Sequence, residues 1–219
     1  MMGKKTKKNK KILVICAHSD DQIFGPGGTI ARYAEEDKDI YTVIFSYGYS
    51  SHPWYKEKVT AKTRVKEAQE ADKIIGGKGV IFLGVPETKF FKGKEKVTKQ
   101  LKKIIKENRP VKIFTHSVND PHKDHRDVYS IVRDLSENSN YRFELYSFDV
   151  WNPIRLIKRN RPQMYVDVTK TFKRKIEALK CFKSQKMSMI SLLWSVYLRA
   201  FLNGLNAKCR FAERFDKIR

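Results

Sequence analysis

The run Ile12-Leu13-Val14-Ile15-Cys16, followed closely by His18, Asp20 and Asp21, sets the architecture of this 219-residue chain. A short, continuous apolar run with β-branched members is typical of a strand buried inside a parallel sheet. The turn residues and helix-like pattern of Gly25-Pro26-Gly27-Gly28-Thr29-Ile30 come next. The polar residues therefore fall on the loop at the carboxyl end of the first strand, where open α/β sheets bind ligands.

A second polar cluster follows another apolar run. Lys112-Ile113-Phe114-Thr115 predicts a strand, and Asn119-Asp120-Pro121-His122-Lys123-Asp124-His125 would reach the same edge of the sheet. Either cluster alone is typical of a solvated loop or a helix cap. Three of the five histidines lie in these two clusters, each after an apolar strand, and this joint occurrence favours a divalent metal site.

Strands and helices alternate along the chain. Such alternation indicates an α/β fold, with a mostly parallel sheet flanked by helices. No repeat or low-complexity linker interrupts the pattern, so we predict a single domain over residues 12–219. The predicted strands are Ile12–Cys16, Ile40–Ser46, Val80–Leu83, Val111–Thr115, Arg142–Phe148 and Tyr165–Val168, and the predicted helices are Gly28–Glu36, Glu57–Ile75, Val97–Glu107, His125–Leu135 and further helices from Thr171.

The chain carries a large positive charge. Its formal net charge is +22, and six lysines within the first eleven residues predict a disordered basic tail over residues 1–11. A second basic region runs from Trp151 to the end, with 17 Lys and Arg against 4 Asp and Glu. Such an excess favours acidic partners, namely phosphorylated substrates, nucleic acid or anionic lipid headgroups. A role in keeping the protein soluble explains the excess of Lys and Arg equally well.

The three cysteines show no paired spacing, which indicates reduced thiols and a cytoplasmic location. The lysine tail leads into an apolar strand too short for a signal peptide. The longest apolar stretch, residues 187–205, contains Arg199 and has bulky residues at helical spacing. It predicts an amphipathic helix and not a membrane span. The sequence leaves two roles for this helix, packing in the core and docking on a membrane surface.

The residue types in the two clusters fit a catalytic metal site. Zinc in such a site takes about three protein ligands and leaves one position for water. His18, Asp21 and His125 would supply two nitrogens and one oxygen. We predict these three as ligands of Zn²⁺, with another divalent metal such as Fe²⁺ as the alternative.

Three more residues complete the predicted site. Asp20 adjoins a ligand without being one, so it can accept a proton from the metal-activated water as general base. His122, one helical turn before His125, can donate to the oxyanion or protonate the leaving amine. Asp124 would not bind the metal but would orient the imidazole of a histidine in the site.

These motifs resemble the PIG-L/LmbE-like family of metal-dependent N-acetylglucosaminyl deacetylases. Ala17-His18-Ser19-Asp20-Asp21-Gln22 is similar to the family's Ala/Pro-His-Pro-Asp-Asp-Glu signature, and residues 119–126 are similar to its Asn-Asp-x-His-x-Asp-His-Arg segment. Supporting matches are Gly27-Gly28-Thr29, Arg64-x-x-Glu67, Phe82-Leu83-Gly84-Val85-Pro86, Lys180-x-x-x-Ser184-Gln185 and Ala212-Glu213-Arg214-Phe215.

The resemblance implies a Rossmann-like domain and the metal-dependent, usually zinc-dependent, removal of an acyl group from an N-acetylated amino sugar. The substrate would be an N-acetylated sugar, a nucleotide sugar or a lipid-linked glycan, and no nicotinamide cofactor is implied. The family's ligands, general base and acid histidine coincide with the residues assigned above. The resemblance adds Arg64 and Glu87 as sugar contacts.

Two positions depart from the family pattern. Ser19 stands where the family has proline, and Gln22 stands where it has glutamate. Ser19 loosens the loop, because proline would fix φ near about −65°. Gln22 removes a negative charge near the metal without changing a ligand or the base. We expect an active enzyme with unusual specificity.

A different class of function stays open: a nucleic-acid- or anionic-glycan-binding protein that uses the basic C-terminal region without hydrolysis. The tract of residues 155–161 holds four cations near Trp151 and Tyr165, whose rings could stack on bases. The same tract could bind the diphosphate of a nucleotide- or lipid-linked sugar. Of these partners we expect the sugar and not nucleic acid, and the sequence is compatible with peripheral membrane association and with a homo-oligomer.

Overall fold

Seven strands form one sheet in the computed structural model, which describes residues 9–49, 57–152 and 161–219. The strands are β1 (Lys11–Cys16), β2 (Asp39–Ile44), β3 (Val80–Phe82), β4 (Lys112–His116), β5 (Glu144–Phe148), β6 (Gln163–Asp167) and β7 (Ala212–Lys217). Their order across the sheet is β3-β2-β1-β4-β5-β7-β6. Over the same described residues the α-helices are α1 (Asp21–Phe24), α2 (Gly27–Glu35), α3 (Glu57–Ile74), α4 (Lys94–Asn108), α5 (Lys123–Glu137), α6 (Phe172–Leu179) and α7 (Lys186–Ala207).

Strand β1 lies inside the sheet and pairs in parallel with β2 on one side and β4 on the other. Its side chains alternate between two apolar layers. Ile12 and Val14 pack in a layer with residues of α2, α3, α6 and α7, whereas Leu13 and Ile15 pack with residues of α4 and α5. Helices therefore cover both faces of the strand, which explains why its sequence is continuously apolar.

The predicted α/β fold, with one domain and a mostly parallel sheet, is confirmed. The predicted strands and helices are all present, with ends shifted by a few residues. Asp21, which we assigned to the loop after the first strand, begins the short helix α1. Of the predicted basic tail, residues 1–8 lie outside the described residues, and β1 already begins at Lys11.

The sequence did not predict strand β7, which runs antiparallel between β5 and β6. Acidic residues at 213 and 216 break its apolar pattern, although both are buried. The first of these, Glu213, accepts hydrogen bonds from the backbone N–H groups of Gly28 at 2.9 Å and Thr29 at 2.7 Å. Lys175 donates to the same carboxylate at 2.6 Å and to the carbonyls of residues 24 and 25 at 3.0 and 2.8 Å. This network fixes both ends of the turn between α1 and α2, and so positions the loop that follows β1.

Asp72 on α3 gives the stability of the fold a dependence on pH. Its side chain is buried, and burial raises the pKa of Asp72 to about 6, against a hydrogen bond from Gly79 that lowers it. A carboxyl whose pKa is raised in the folded state loses stabilising free energy as pH rises from about 4 through 6. We expect Asp72→Asn, which cannot ionise, to raise the free energy of unfolding at pH 8 by about 3 kcal/mol and to leave it nearly unchanged at pH 4.

Urea denaturation at both pH values measures this effect. Glu70→Gln on the same helix is the matched control, since Glu70 is exposed and pairs only loosely with Lys66 at 3.9 Å. An equal gain in stability at pH 4 and pH 8 would contradict the ionisation argument.

Candidate metal centre and catalytic cleft

The two polar clusters meet at the carboxyl edge of the sheet, as predicted. The loop after β1 supplies His18, and Asp21 begins α1 immediately afterwards. The segment after β4 brings His122, the N-cap of α5, and His125 in the first turn of that helix. Because β1 and β4 are parallel neighbours, both segments leave the sheet at the same edge.

His18, Asp21 and His125 form a cluster whose ligand atoms all lie within 4.8 Å of one another. Asp21 Oδ1 lies 3.2 Å from His125 Nε2, and Asp21 Oδ2 lies 3.4 Å from His18 Nδ1. The two imidazole nitrogens are 3.3 Å apart. Two nitrogens and one carboxylate oxygen converging on one point are a donor set that suits zinc and related divalent ions.

Each of these two histidines has a carboxylate on the ring nitrogen that faces away from the cluster. Asp120 Oδ1 lies 3.0 Å from His125 Nδ1, and Asp124 Oδ2 lies 3.3 Å from His18 Nε2. Metal-binding histidines almost always have such a partner, because it fixes the tautomer and the orientation of the ring. Asp124, which we predicted to orient an imidazole, lies beside His18, whereas the sequence analysis gave Asp120 no role.

The electrostatics of the cluster favour a cation. Burial lowers the pKa of His18, but Asp124 and Asp21 outweigh burial and raise the pKa to about 9. Burial also lowers the pKa of His125, but Asp21 and Asp120 outweigh burial and raise the pKa to about 10. Burial would raise the pKa of Asp21, yet His125 and His116 hold it well below its ordinary value. The carboxylates thus stay ionised, and the space between them and the imidazoles suits a positive charge.

His116, the last residue of β4, is a member of the site that the sequence analysis missed. Its Nε2 accepts a hydrogen bond from the Ala17 N–H at 3.0 Å and lies 3.2 Å from Asp21 Oδ2. Its ring stacks on that of His125 with centroids 3.8 Å apart. Burial, reinforced by His125, lowers the pKa of His116 to about 4, so the ring is neutral. The available signal was its position at the end of a strand that leads to the second cluster.

Two other groups of residues within the described ranges could also hold an ion: His18 with His122 and Asp124, and His116 with Asp120 and His125. The second of these is fully buried, so it leaves no open position for water. In the first, both carboxylate oxygens of Asp124 already accept from the Thr88 N–H, at 3.1 and 3.3 Å. The cluster of His18, Asp21 and His125 is the best fit.

Asp20 lies beside the cluster and lines the same cleft. Its carboxylate is 3.6 Å from the guanidinium of Arg64, which also donates through Nε to Ser19 Oγ at 2.9 Å. Burial raises the pKa of Asp20, Arg64 lowers it and Asp21 raises it further, with a net upward shift. Ser19, one of the two departures from the family pattern, thus holds Arg64. The other, Gln22, donates to the Ser19 carbonyl at 2.9 Å.

His122 lies over His18 with ring centroids 4.9 Å apart. Its Nδ1 accepts a hydrogen bond from the Asp124 N–H at 3.2 Å, which caps α5. Burial lowers the pKa of His122, and the cationic neighbours His18 and His125 lower it further. A neutral imidazole whose Nδ1 accepts a hydrogen bond carries its proton on Nε2. His122 can therefore donate a hydrogen bond through Nε2–H.

The cleft has a volume of about 290 Å³ and is lined by predicted site residues, by Glu87 and Thr88 after β3, and by Trp151 and Leu192. Glu87 and Arg64 thus both border the space where a substrate would bind. A larger cavity of about 420 Å³ lies between α7 and β7 and shares Phe24 with the cleft, but it is not lined by the cluster. In the basic tract, residues 155–160 lie outside the described residues, and Arg161 donates to the Tyr129 hydroxyl at 3.4 Å.

An α/β sheet that carries this cluster and a neighbouring carboxylate at its carboxyl edge defines a class of metal-dependent enzymes. Residues 13–136 match the model of the PIG-L family, described as GlcNAc-PI de-N-acetylase. The match spans more than half of the chain, and the chain belongs to this family, as its motifs predicted.

Two relatives resemble the chain over most of its length. A diacetylchitobiose deacetylase of Thermococcus kodakarensis is 25% identical, over 93% of this chain and 81% of the relative. A 4-oxalmesaconate hydratase of Pseudomonas putida is 27% identical, over 91% of this chain and 81% of the relative.

Solved structures confirm the fold. An N,N'-diacetylchitobiose deacetylase from Pyrococcus horikoshii superposes with a TM-score of 0.80 at 24% identity, covering 97% of this chain and 85% of that one. The 4-carboxy-2-hydroxymuconate hydratase of Pseudomonas putida gives a TM-score of 0.82 at 20% identity, covering 96% of each chain. The same architecture is therefore found in enzymes described as deacetylases and as hydratases.

Proposed function

We propose that the chain is a metal-dependent deacetylase that hydrolyses the N-acetyl group of an amino sugar. The observation that carries this proposal is the cluster of His18, Asp21 and His125, whose first two members line one cleft together with the carboxylate of Asp20 and the histidine donor His122. The family description and the Thermococcus deacetylase support the reaction class.

The metal would be held by His18, Asp21 and His125, and the mixed nitrogen and oxygen donors favour zinc, with Fe²⁺ as the alternative. Such an ion lowers the pKa of a bound water to about 7 and polarises a carbonyl oxygen. Asp120 and Asp124 hold the two imidazoles in the orientation that binding needs. Asp21 contributes the negative charge that offsets part of the charge of the ion.

Asp20 is the general base in this proposal. It borders the cleft next to Asp21, and its raised pKa brings it closer to the range in which a carboxylate accepts protons effectively near neutral pH. Arg64 faces Asp20 and keeps the carboxylate oriented toward the cleft. Ser19 fixes Arg64 in turn. This hydrogen bond restrains the loop that we expected serine to loosen in place of proline.

His122 is the electrophilic residue. Because its Nδ1 is occupied by the Asp124 N–H, the Nε2–H is the donor that can stabilise negative charge on the acetyl oxygen. The proton that Asp20 takes from the water can then pass to the nitrogen of the leaving amine as the C–N bond breaks. Glu87 and Arg64 border the space for the sugar, and we propose that Glu87 accepts hydrogen bonds from its hydroxyl groups.

Hydration of a carbon–carbon double bond is the second candidate reaction, because the Pseudomonas relative is a hydratase that covers most of the chain. Both reactions add water to an unsaturated carbon. They differ in substrate, since a hydratase of this kind acts on an unsaturated carboxylate and releases no acetate.

A substrate screen separates the two reactions. Metal-loaded enzyme is incubated with N-acetylglucosamine, diacetylchitobiose, a nucleotide-linked N-acetyl sugar and a lipid-linked one, and acetate is measured. In parallel, the loss of ultraviolet absorbance is followed with unsaturated dicarboxylic acids. We expect acetate release from at least one sugar, at least tenfold above the His125→Ala protein, and no hydration. Hydration without acetate release would contradict the proposal.

A further inference from the structure

The outer face of α7 carries a stripe of exposed apolar side chains. Of the ten large apolar residues that are exposed in the described parts of the chain, six lie on this one helix. Five of them, at positions 190, 194, 197, 201 and 205, recur at intervals of three or four residues and so share one face, and the sixth lies beside them at position 202. We call them the α7 stripe: Ile190, Trp194, Tyr197, Phe201, Leu202 and Leu205.

The opposite face of α7 is already packed. Leu192, Val196 and Ala200 are buried in the core layer beneath the sheet, and Leu192 also lines the catalytic cleft. The helix is therefore apolar on both sides, and packing inside the domain accounts for only one of them. From residue 190 to residue 205 the stripe is about 22 Å long at 1.5 Å per residue. An exposed contiguous patch of this kind marks an interaction site.

The charges around the stripe indicate its partner. From Ala178 to Ala212 the sequence contains six Lys and Arg and no Asp or Glu. Exposed Lys183 precedes the helix, and Lys208 and exposed Arg210 follow it, so cations lie at both ends of the stripe. A second copy of the chain would bring cations against cations in a parallel or an antiparallel pair, and each copy carries +22. A surface of anionic lipid would meet both ends with the opposite charge.

We propose that α7 docks on an anionic membrane surface, with the α7 stripe inserted at the level of the headgroups. Trp194 and Tyr197 lie in the middle of the stripe, and both residue types are enriched at membrane interfaces. None of the helices in the described residues is long and apolar enough to cross a bilayer, so the helix lies in the plane of the surface. Since Leu192 on the inner face borders the cleft, docking holds the cleft close to the membrane. The inference does not depend on the proposed reaction.

Sedimentation with vesicles tests the proposal on the full chain. We expect binding to vesicles of phosphatidylcholine with phosphatidylglycerol, and much weaker binding to phosphatidylcholine alone. The double variant Trp194→Ser/Phe201→Ser should reduce the partition coefficient by roughly tenfold or more, because it removes two apolar anchors and no charge. Val111→Ser is the matched control: Val111 is also exposed, at 41%, but lies before β4 and outside the stripe. It should bind like the parent.

Further measurements separate the other outcomes. Ile190→Ser/Leu205→Ser, at the most exposed positions of the stripe, repeats the test if the first double variant does not fold. Undiminished binding by the folded double variants would assign attachment to the lysine-rich tail and overturn the proposal. A failure of the parent protein to bind anionic vesicles would also overturn the proposal. A dimer in light scattering that the double variant converts to a monomer, without vesicle binding, would assign the stripe to a second copy.

Discussion

The Asp20→Asn protein is expected to keep its metal and to lose turnover by about a hundredfold or more, the loss that removal of a general base produces. The substitution preserves the size of the side chain and its contact with Arg64, whose guanidinium lies 3.6 Å from Asp20 Oδ1. It removes the proton acceptor, because an amide is not basic. Steady-state acetate release gives kcat, and elemental analysis of the same sample gives the metal content.

Asp127→Asn is the matched control for this prediction. Asp127 is a carboxylate on α5 that pairs with Lys123 at 2.6 Å. Its amide variant should turn over at nearly the parental rate. If Asp20→Asn were nearly as active as the parent, the base would have to lie elsewhere. Asp124 would be the next candidate, although its carboxylate already accepts from the Thr88 N–H and holds His18.

The sequence could predict that the candidate site residues lie together, because they fall in two short segments, each after an apolar strand. The burial of β1 and β4 makes their sequences continuously apolar, and parallel pairing brings their carboxyl ends together. His18 and Asp21 therefore had to lie near His122 and His125, although more than 100 residues separate the two segments.

Carboxylates that hold a site residue or a helix end in place could not be predicted in the same way. Asp120 holds His125 and also accepts from the Val150 N–H at 3.1 Å, after β5. Glu213 reaches the start of α2 from a strand 185 positions later in the sequence. The sequence pattern around such a carboxylate does not distinguish it from an exposed Asp or Glu. Only the register of the sheet shows that it is buried against an imidazole or a helix end.

The largest effect on metal binding is expected from His125→Ala. It removes one of the three donors and leaves Asp21 and Asp120 without the imidazole that lies 3.2 and 3.0 Å from them. The loss of affinity should exceed that of Asp120→Asn, for which about 10- to 100-fold is typical of a residue that orients a ligand. Competition with a chromophoric chelator measures both affinities, and circular dichroism confirms that each variant is folded.

The His122→Ala variant distinguishes between two possible sets of metal ligands, one with His125 and one with His122. In the cluster of His18, Asp21 and His125, His122 is not a ligand, so its alanine variant should bind the metal almost as tightly as the parent while turnover falls. In the alternative cluster with Asp124, His122 is a ligand and His125 is not. Loss of the metal from His122→Ala, together with full retention by His125→Ala, would move the ion toward Asp124. Because His125 Nε2 faces Asp21 and its Nδ1 faces Asp120, we expect the opposite result.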